Sequence, residues 1–294
     1  MPPGFSMFIP LASGLGYAVA ALMLKRGGEG AGPWRVTFVA NMVIATVFSV
    51  GWLMPAAHPA SLAGIWHAAL SGALFFFGQI FTFLALTRGD VSVATPVLGS
   101  KVVFVALFTV LFGIEKLNGA VWIAVLLTAA ATALLGSGGR AREGTVLFRS
   151  VLYGFSAAAI FALTDVTQQR WIRDWGLFPY MATLFSTMGV LSLGLIPLFR
   201  NDGHIMTAAS WRWLAGGAAL ISIQASGVAW GIVTLGATTT NVLYNSRGVW
   251  SVVLVWMIGH WFGNTESAQG SRVMLRRLGG SLLLLSAIFL LTRH

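Results

Sequence analysis

The sequence predicts an all-α integral membrane protein of ten transmembrane helices arranged as two inverted five-helix repeats. Three observations lead there. The chain of 294 residues is 57% hydrophobic and 9% charged, with a mean hydropathy of +0.82, so too few polar groups exist to coat a soluble globule. Its apolar residues gather into runs near the roughly 20 residues that a spanning helix requires. Two of these runs each carry one cation near the middle, Lys101 and Arg247. A charge at that depth costs about 2.5–3.5 kcal/mol on insertion scales and is usually functional.

In chain order the predicted spans are 5–24, 36–54, 65–86, 91–114, 119–138, 151–168, 178–199, 214–235, 238–262 and 273–292. Each is closed by Gly, Pro or charged residues, and no connection is long enough for a soluble domain. The polar segment 139–150 divides the chain into a first unit, 1–138, and a second, 151–294. Offset by 146 positions, Leu-Gly-Ser-Lys at 98–101 falls on Tyr-Asn-Ser-Arg at 244–247, and Gly113 falls on Gly259. Offset by 145, Gly72, Ala73 and Gln79 fall on Gly217, Ala218 and Gln224. One inserted residue reconciles the two registers. Because five is odd, consecutive copies enter the bilayer from opposite sides, which is the inverted-repeat plan of many secondary transporters.

The formal charge of +10 does not indicate nucleic acid, because Lys and Arg fall at the ends of apolar runs and form no basic stripe. Odd-numbered loops carry twelve of them and the other side four. The positive-inside rule then places both termini outside, in a multi-pass protein of a bacterial inner membrane. Residues 1–10 lack a basic n-region, so no cleavable leader is expected. Without cysteine there is no disulfide or thiolate site. His58, His67, His204, His260 and His294 show no metal-ligand spacing, and no cofactor is expected. An integral-membrane enzyme would need a nucleophile or metal cluster backed by acid/base groups, and none is apparent.

Thr-Arg-Gly-Asp-Val-Ser-Val-Ala-Thr-Pro at 87–96, Phe-Gly-Ile-Glu-Lys-Leu at 112–117 and the five-plus-five layout resemble the drug/metabolite transporter superfamily, specifically its EamA-type ten-helix branch. In that family Gly-x-Glu ends the fourth helix. Here it matches Gly113 and Glu115, with Glu266 as a degraded counterpart. The resemblance implies transport by alternating access without ATP hydrolysis, through a cavity lined by helices one to four and six to nine. Many relatives have proline or an apolar residue at the positions of Lys101 and Arg247. Basic residues there resemble instead the sugar-phosphate and nucleotide-sugar branches.

The candidate substrate site centres on Lys101 and Arg247. At about 100° per residue, Thr240, Tyr244, Arg247 and Ser251 share an arc of the ninth helix. Arg grips carboxylate or phosphate oxygens in bidentate fashion while Lys acts as a point charge. The expected substrate is therefore a small anionic or zwitterionic metabolite, moved by an exporter or exchanger. An amino-acid or drug exporter and a lipid-phosphate flippase are the alternatives.

Asp165, the sole acid well inside a predicted span, is the internal partner for a cation, a proton-coupling group, or a solvated interfacial carboxylate. Gln79, Gln224, Asn41, Asn241 and Asn245 are further polar candidates, with interhelical hydrogen bonding as the rival role. Tyr17, Trp230 and Trp250 lie deep enough to line a cavity. The expected partners are the substrate and the lipid bilayer, with oligomeric state open and a monomer admissible.

Overall fold

The computed structural model describes residues 3–56, 58–59, 61–88, 97–136, 145–200, 206–258 and 271–292. They form helices α1 (Pro3–Gly27), α2 (Pro33–Ser49), α3 (Leu62–Arg88), α4 (Lys101–Leu111), α5 (Gly119–Gly136), α6 (Thr145–Trp175), α7 (Leu177–Ser192), α8 (Ala208–Leu235), α9 (Ala237–Tyr244), α10 (Arg247–Ile258) and α11 (Ser271–Thr292). A tight turn at Val50–Leu53 prolongs α2, and the segment through Phe199 prolongs α7. No strand occurs among the described residues. Six helical stretches are long and apolar enough to cross a bilayer, and α4, α5 and α11 are apolar but shorter. The protein is an all-α integral membrane protein.

Local chemistry sets the helix ends. Pro33 opens α2 from the first turn, where its missing N–H costs nothing. Thr207 caps α8 by accepting from the Ser210 amide at 3.1 Å. Gly236 closes α8 with φ +85°, a backbone state that favours glycine.

Two differences from the sequence-based boundaries matter for function. Helix α6 was expected to end at 168 but continues to Trp175. Its last turns carry Gln, Arg and Asp, which end a hydropathy run without ending a helix. Ile172 and Trp175 are buried there against the core. Asp165 consequently lies ten residues before the helix end and is buried, which favours an internal partner over a solvated interfacial carboxylate.

The second difference concerns the two cation-bearing spans, each expected as one continuous helix. Turns at Gly99–Ser100 and at Asn245–Ser246 break both, immediately before the cation. The break separates α9 from α10 and starts α4 at Lys101. At both places the chain tightens to i→i−3 bonding, with the Ser100 amide donating to Val97 O at 3.0 Å and the Ser246 amide to Leu243 O at 3.1 Å. Residues 89–96, including Pro96, and 259–270, including Glu266, lie outside the described residues.

Helix packing pairs elements from the two halves of the chain. Helix α1 packs on α8, and α3 on α6. Helix α2 packs on both α7 and α8, and α3 also packs on α7. Helices α4 and α6 are neighbours, as are α1 and the α9–α10 unit, while α5 pairs with α11. Lipid is as apolar as leucine, so such contacts depend on small residues and interhelical hydrogen bonds rather than on hydrophobic collapse. The α1–α8 seam illustrates the first. A methyl group added at Gly217 would lie 3.2 Å from Ala20 O, and one at Gly231 would lie 2.8 Å from Pro10 Cγ. Large apolar side chains such as Leu107, Ile123, Phe155, Ile223 and Leu285 are exposed, as lipid-facing groups are.

Hydrogen bonding supplies the second. Asn41 of α2 and Gln79 of α3 exchange amide hydrogen bonds at 2.8 and 3.0 Å, and the Asn41 amide also donates to Ser192 Oγ at 2.8 Å. Ser71 of α3 bonds both Tyr180 Oη of α7 at 2.6 Å and Thr167 Oγ1 of α6 at 2.8 Å. Replacing Asn41 by Ala leaves the Gln79 amide buried without its partner. The expected outcome is a loss of about 1–3 kcal/mol, read as a lower melting temperature of the detergent-purified protein, with the apparent substrate affinity unchanged.

Candidate substrate-binding site

Lys101 stands at the first position of α4 with its ammonium 2.6 Å from Asp165 Oδ2 of α6. Their side chains are 20% and 9% exposed, so the carboxylate is buried and the ammonium largely so. The same carboxylate oxygen accepts from Asn241 Nδ2 of α9 at 2.7 Å. Asn241 also donates to Ala237 O at 2.9 Å, and Asn245 donates to Asn241 O at 2.9 Å. One carboxylate thus ties α4, α6 and α9 together, immediately below the turn that precedes Arg247.

Arg247 begins α10. Its guanidinium carbon lies 4.9 Å from the Tyr17 ring centroid and 4.8 Å from that of Tyr244. The two rings meet edge to face at 6.0 Å. Among the described residues no carboxylate comes within ion-pair distance of Arg247, although Asp165 is close enough to act on it electrostatically. The aromatic rings hold the planar group by cation–π attraction, and the Tyr244 side chain is also hydrogen-bonded to it.

Polar atoms of α8, of α9 and of the break itself lack partners. Thr240 Oγ1, Ser246 Oγ and Gln224 Oε1 are buried without a hydrogen bond among the described residues. Such a group costs about 1–3 kcal/mol when it stays unsatisfied. Two of them, Ser246 and Gln224, border α1. A methyl group at Gly14 would fall 2.6 Å from Ser246 Oγ and 3.0 Å from the Arg247 amide, so glycine lets α1 lie directly on the α9–α10 break. Gly16 of α1 faces the stem of Gln224, and Gly231 of α8 faces Thr240.

The far end of α9 is also held. Gln169 Oε1 accepts from the Ala237 amide at 2.9 Å, and Glu115 Oε1 from the Thr238 amide at 3.5 Å. Both satisfy orphan donors of the helix N-terminus, where a carboxylate is also favoured by the helix dipole. Glu115 is the glutamate of the Gly-x-Glu motif.

Of the residues singled out from sequence, Lys101, Asp165, Asn241 and Asn245 form one connected network, and Arg247, Tyr17 and Tyr244 another. Thr240 and Gln224 border the second. Ser251 donates to Arg247 O at 2.8 Å, one turn beyond the break. The proposed arc of Thr240, Tyr244, Arg247 and Ser251 assumed a continuous helix, and the turn at Asn245–Ser246 divides it between α9 and α10. Asn41 and Gln79 engage each other and Ser192. Trp230 is half-buried on α8 and Trp250 is exposed on α10. Sequence reasoning missed Gly14, Ser246 and Gln169. The repeated small-polar pair before each cation, Gly99–Ser100 and Asn245–Ser246, was the available signal for the breaks.

Residues 4–137 match the EamA-like transporter family. The match covers a little under half of the chain. Over that stretch the chain is similar to a family of membrane transporters, in agreement with its multi-pass, apolar helical fold. A solved structure described only as a crystal structure of a protein superimposes with a TM-score of 0.72 over 95% of this chain and 98% of its own, at 18% identity. Nearly the whole chain therefore shares a known fold. A comparison with curated protein sequences finds no match.

The ion pair makes a direct stability test. Lys101→Gln or Asp165→Asn alone leaves an uncompensated buried charge and is expected to cost about 3–5 kcal/mol, whereas the double variant costs less than the sum. A thermal-unfolding cycle of the four proteins measures the coupling.

Proposed function

We propose that the protein is a secondary transporter of a small organic anion, with Arg247 as the anion-binding group. The observation that carries this reading is a guanidinium held between two tyrosine rings at a helix break, without a carboxylate partner among the described residues. An uncompensated cation inside a bilayer is costly, and a substrate carboxylate or phosphate removes that cost when it binds. The unpartnered oxygens of Thr240, Ser246 and Gln224 supply further contacts once α1 parts from the break.

Transport would proceed by alternating access between two inverted five-helix repeats, 1–138 and 151–294. The packing supports this division. Exchanging each span of one half for its counterpart turns the α1–α8 contact into α6–α3, α3–α7 into α8–α2, and α4–α6 into α1 with the α9–α10 unit, and every one of these contacts occurs. Paired breaks ahead of Lys101 and Arg247 add a second line of support, since discontinuous helices at the midplane carry the sites of many such transporters.

Asp165 is the coupling group in this scheme. When an anion draws on Lys101, the carboxylate loses its counter-ion and takes up a proton in the low-dielectric interior. Purified protein in proteoliposomes tests both assignments. Arg247→Ala is expected to lower uptake of the substrate by at least about a hundredfold, as loss of a buried charge-assisted contact of roughly 3 kcal/mol implies, while Arg247→Lys retains part of it. Unchanged uptake in Arg247→Ala overturns the anion site. Asp165→Asn is expected to abolish accumulation driven by a proton gradient yet keep substrate exchange, and retained proton-driven accumulation removes Asp165 from the coupling role.

A further inference from the structure

Helix α8 is 28 residues long, about 42 Å at 1.5 Å per residue, so its two ends lie at opposite faces of the membrane. Its start lies beside the end of α1, where a methyl group at Gly27 would fall 2.8 Å from the Leu214 amide. Its other end meets α9 through Gly236. At that joint the last carbonyls of α8 and the first amides of α9 have no partner within their own helices. Groups from elsewhere in the chain take them up.

Arg173 Nη2 donates to Val233 O at 2.6 Å, Gln169 Oε1 accepts from the Ala237 amide at 2.9 Å, and Glu115 Oε1 accepts from the Thr238 amide at 3.5 Å. Further in, Asp165 Oδ2 accepts from Asn241 Nδ2 at 2.7 Å. Asp165, Gln169 and Arg173 recur every fourth residue and so share one face of α6. Their partners Asn241, Ala237 and Val233 recur at the same interval in the opposite sense. The result is a polar ladder between α6 and the α8–α9 joint. Offset by 145 or 146, the α1 positions carry Ala20, Leu24 and Gly28 or Val19, Met23 and Gly27, so α1 has no such row.

The ladder runs from solvent to core. Arg173 is exposed, Gln169 is half-buried and Asp165 is buried. Beside the rungs, Val105, Ala162, Val166, Ile232 and Ala237 form a buried apolar plug. Water can replace the outer rungs when the seam parts, so opening there costs little. The innermost rung shares its carboxylate with Lys101 at 2.6 Å. Gly236, at φ +85°, lets Glu115 approach the joint, because a side chain there would run into Glu115 Oε1. We propose, resting on the transporter reading, that the α8–α9 joint is the gate of this face, latched by Gln169, Arg173 and Glu115, with Asp165 as the rung that links the latch to the charged centre. A change of partner at Asp165 loosens the innermost rung, and the ladder parts from inside outward.

The chain contains no cysteine, so a single introduced thiol reports on one place. Ala237→Cys, in the plug, reports on the latched face. Ala31→Cys, buried in the turn between α1 and α2, reports on the other. Each is reacted with a membrane-impermeant maleimide on the purified full chain in lipid nanodiscs. Arg173→Ala is expected to raise the labelling rate of the Ala237→Cys reporter by about tenfold or more, as loss of a charge-assisted hydrogen bond implies. Gln169→Leu is expected to raise it by about threefold, and Arg173→Lys, which keeps a donor, by less than about threefold. The Ala31→Cys rate is expected to stay unchanged in all three.

An equal rise at both reporters means general loosening and overturns the latch, as does an unchanged rate at Ala237→Cys in Arg173→Ala. Because Arg173 is exposed, its replacement decides the question even if Gln169→Leu does not fold. Uptake measured on Arg247→Ala decides the transporter reading separately. Uptake indifferent to Arg247→Ala, with labelling still controlled by Arg173, removes the anion site and leaves the latch, whereas Arg247-dependent uptake with labelling indifferent to Arg173 removes the latch alone.

Discussion

The ion pair between Lys101 and Asp165 is the constraint around which the rest of the interior is arranged. A lone charge at this depth would be driven to neutralise or to leave the bilayer, and the 2.6 Å contact removes that pressure from Lys101. Asp165 lies ten residues inside the end of α6, which runs on to Trp175 past the point where its apolar run stops. Asn241 then ties the carboxylate to α9, so one buried charge fixes three helices. Arg247 has no carboxylate within ion-pair distance among the described residues, so the two matched cations differ in their partners.

The helix breaks turn that electrostatic arrangement into geometry. A cation at the start of a helix opposes the helix dipole, and both Lys101 and Arg247 are in that position. Each therefore stands where backbone amides and side chain alike present positive potential. Gly14 brings α1 against the α9–α10 break, and the glycine face of α8 brings the same helix close along its length. This region leaves polar atoms without partners, whereas in the amide-linked α2–α3–α7 cluster Asn41, Gln79 and Ser192 satisfy one another.

Much of the architecture was legible in the sequence because a membrane span has a length requirement that composition reveals directly. The matched cations were equally visible, since charged residues are rare in apolar runs. What the sequence concealed were the consequences of side-chain partnership. Nothing in the order of residues indicates that Gln79 turns to Asn41 while Gln224 keeps an unsatisfied oxygen, although both occupy the same position in the proposed repeat. The breaks escaped because Ser and Asn are tolerated inside apolar helices, and a hydropathy average passes over two residues. The end of α6 escaped for the opposite reason, as its polar last turns lower hydropathy while the backbone stays helical.

Helix α9 has one further consequence. It is eight residues long, or about 12 Å at 1.5 Å per residue, with Gln169 and Glu115 gripping its amides at one end and the Asn245–Ser246 turn forming the other. A rod so short leaves little room to bend, so the Glu115 and Gln169 contacts, the Asn241 carboxamide and the turn before Arg247 are kept at one fixed spacing.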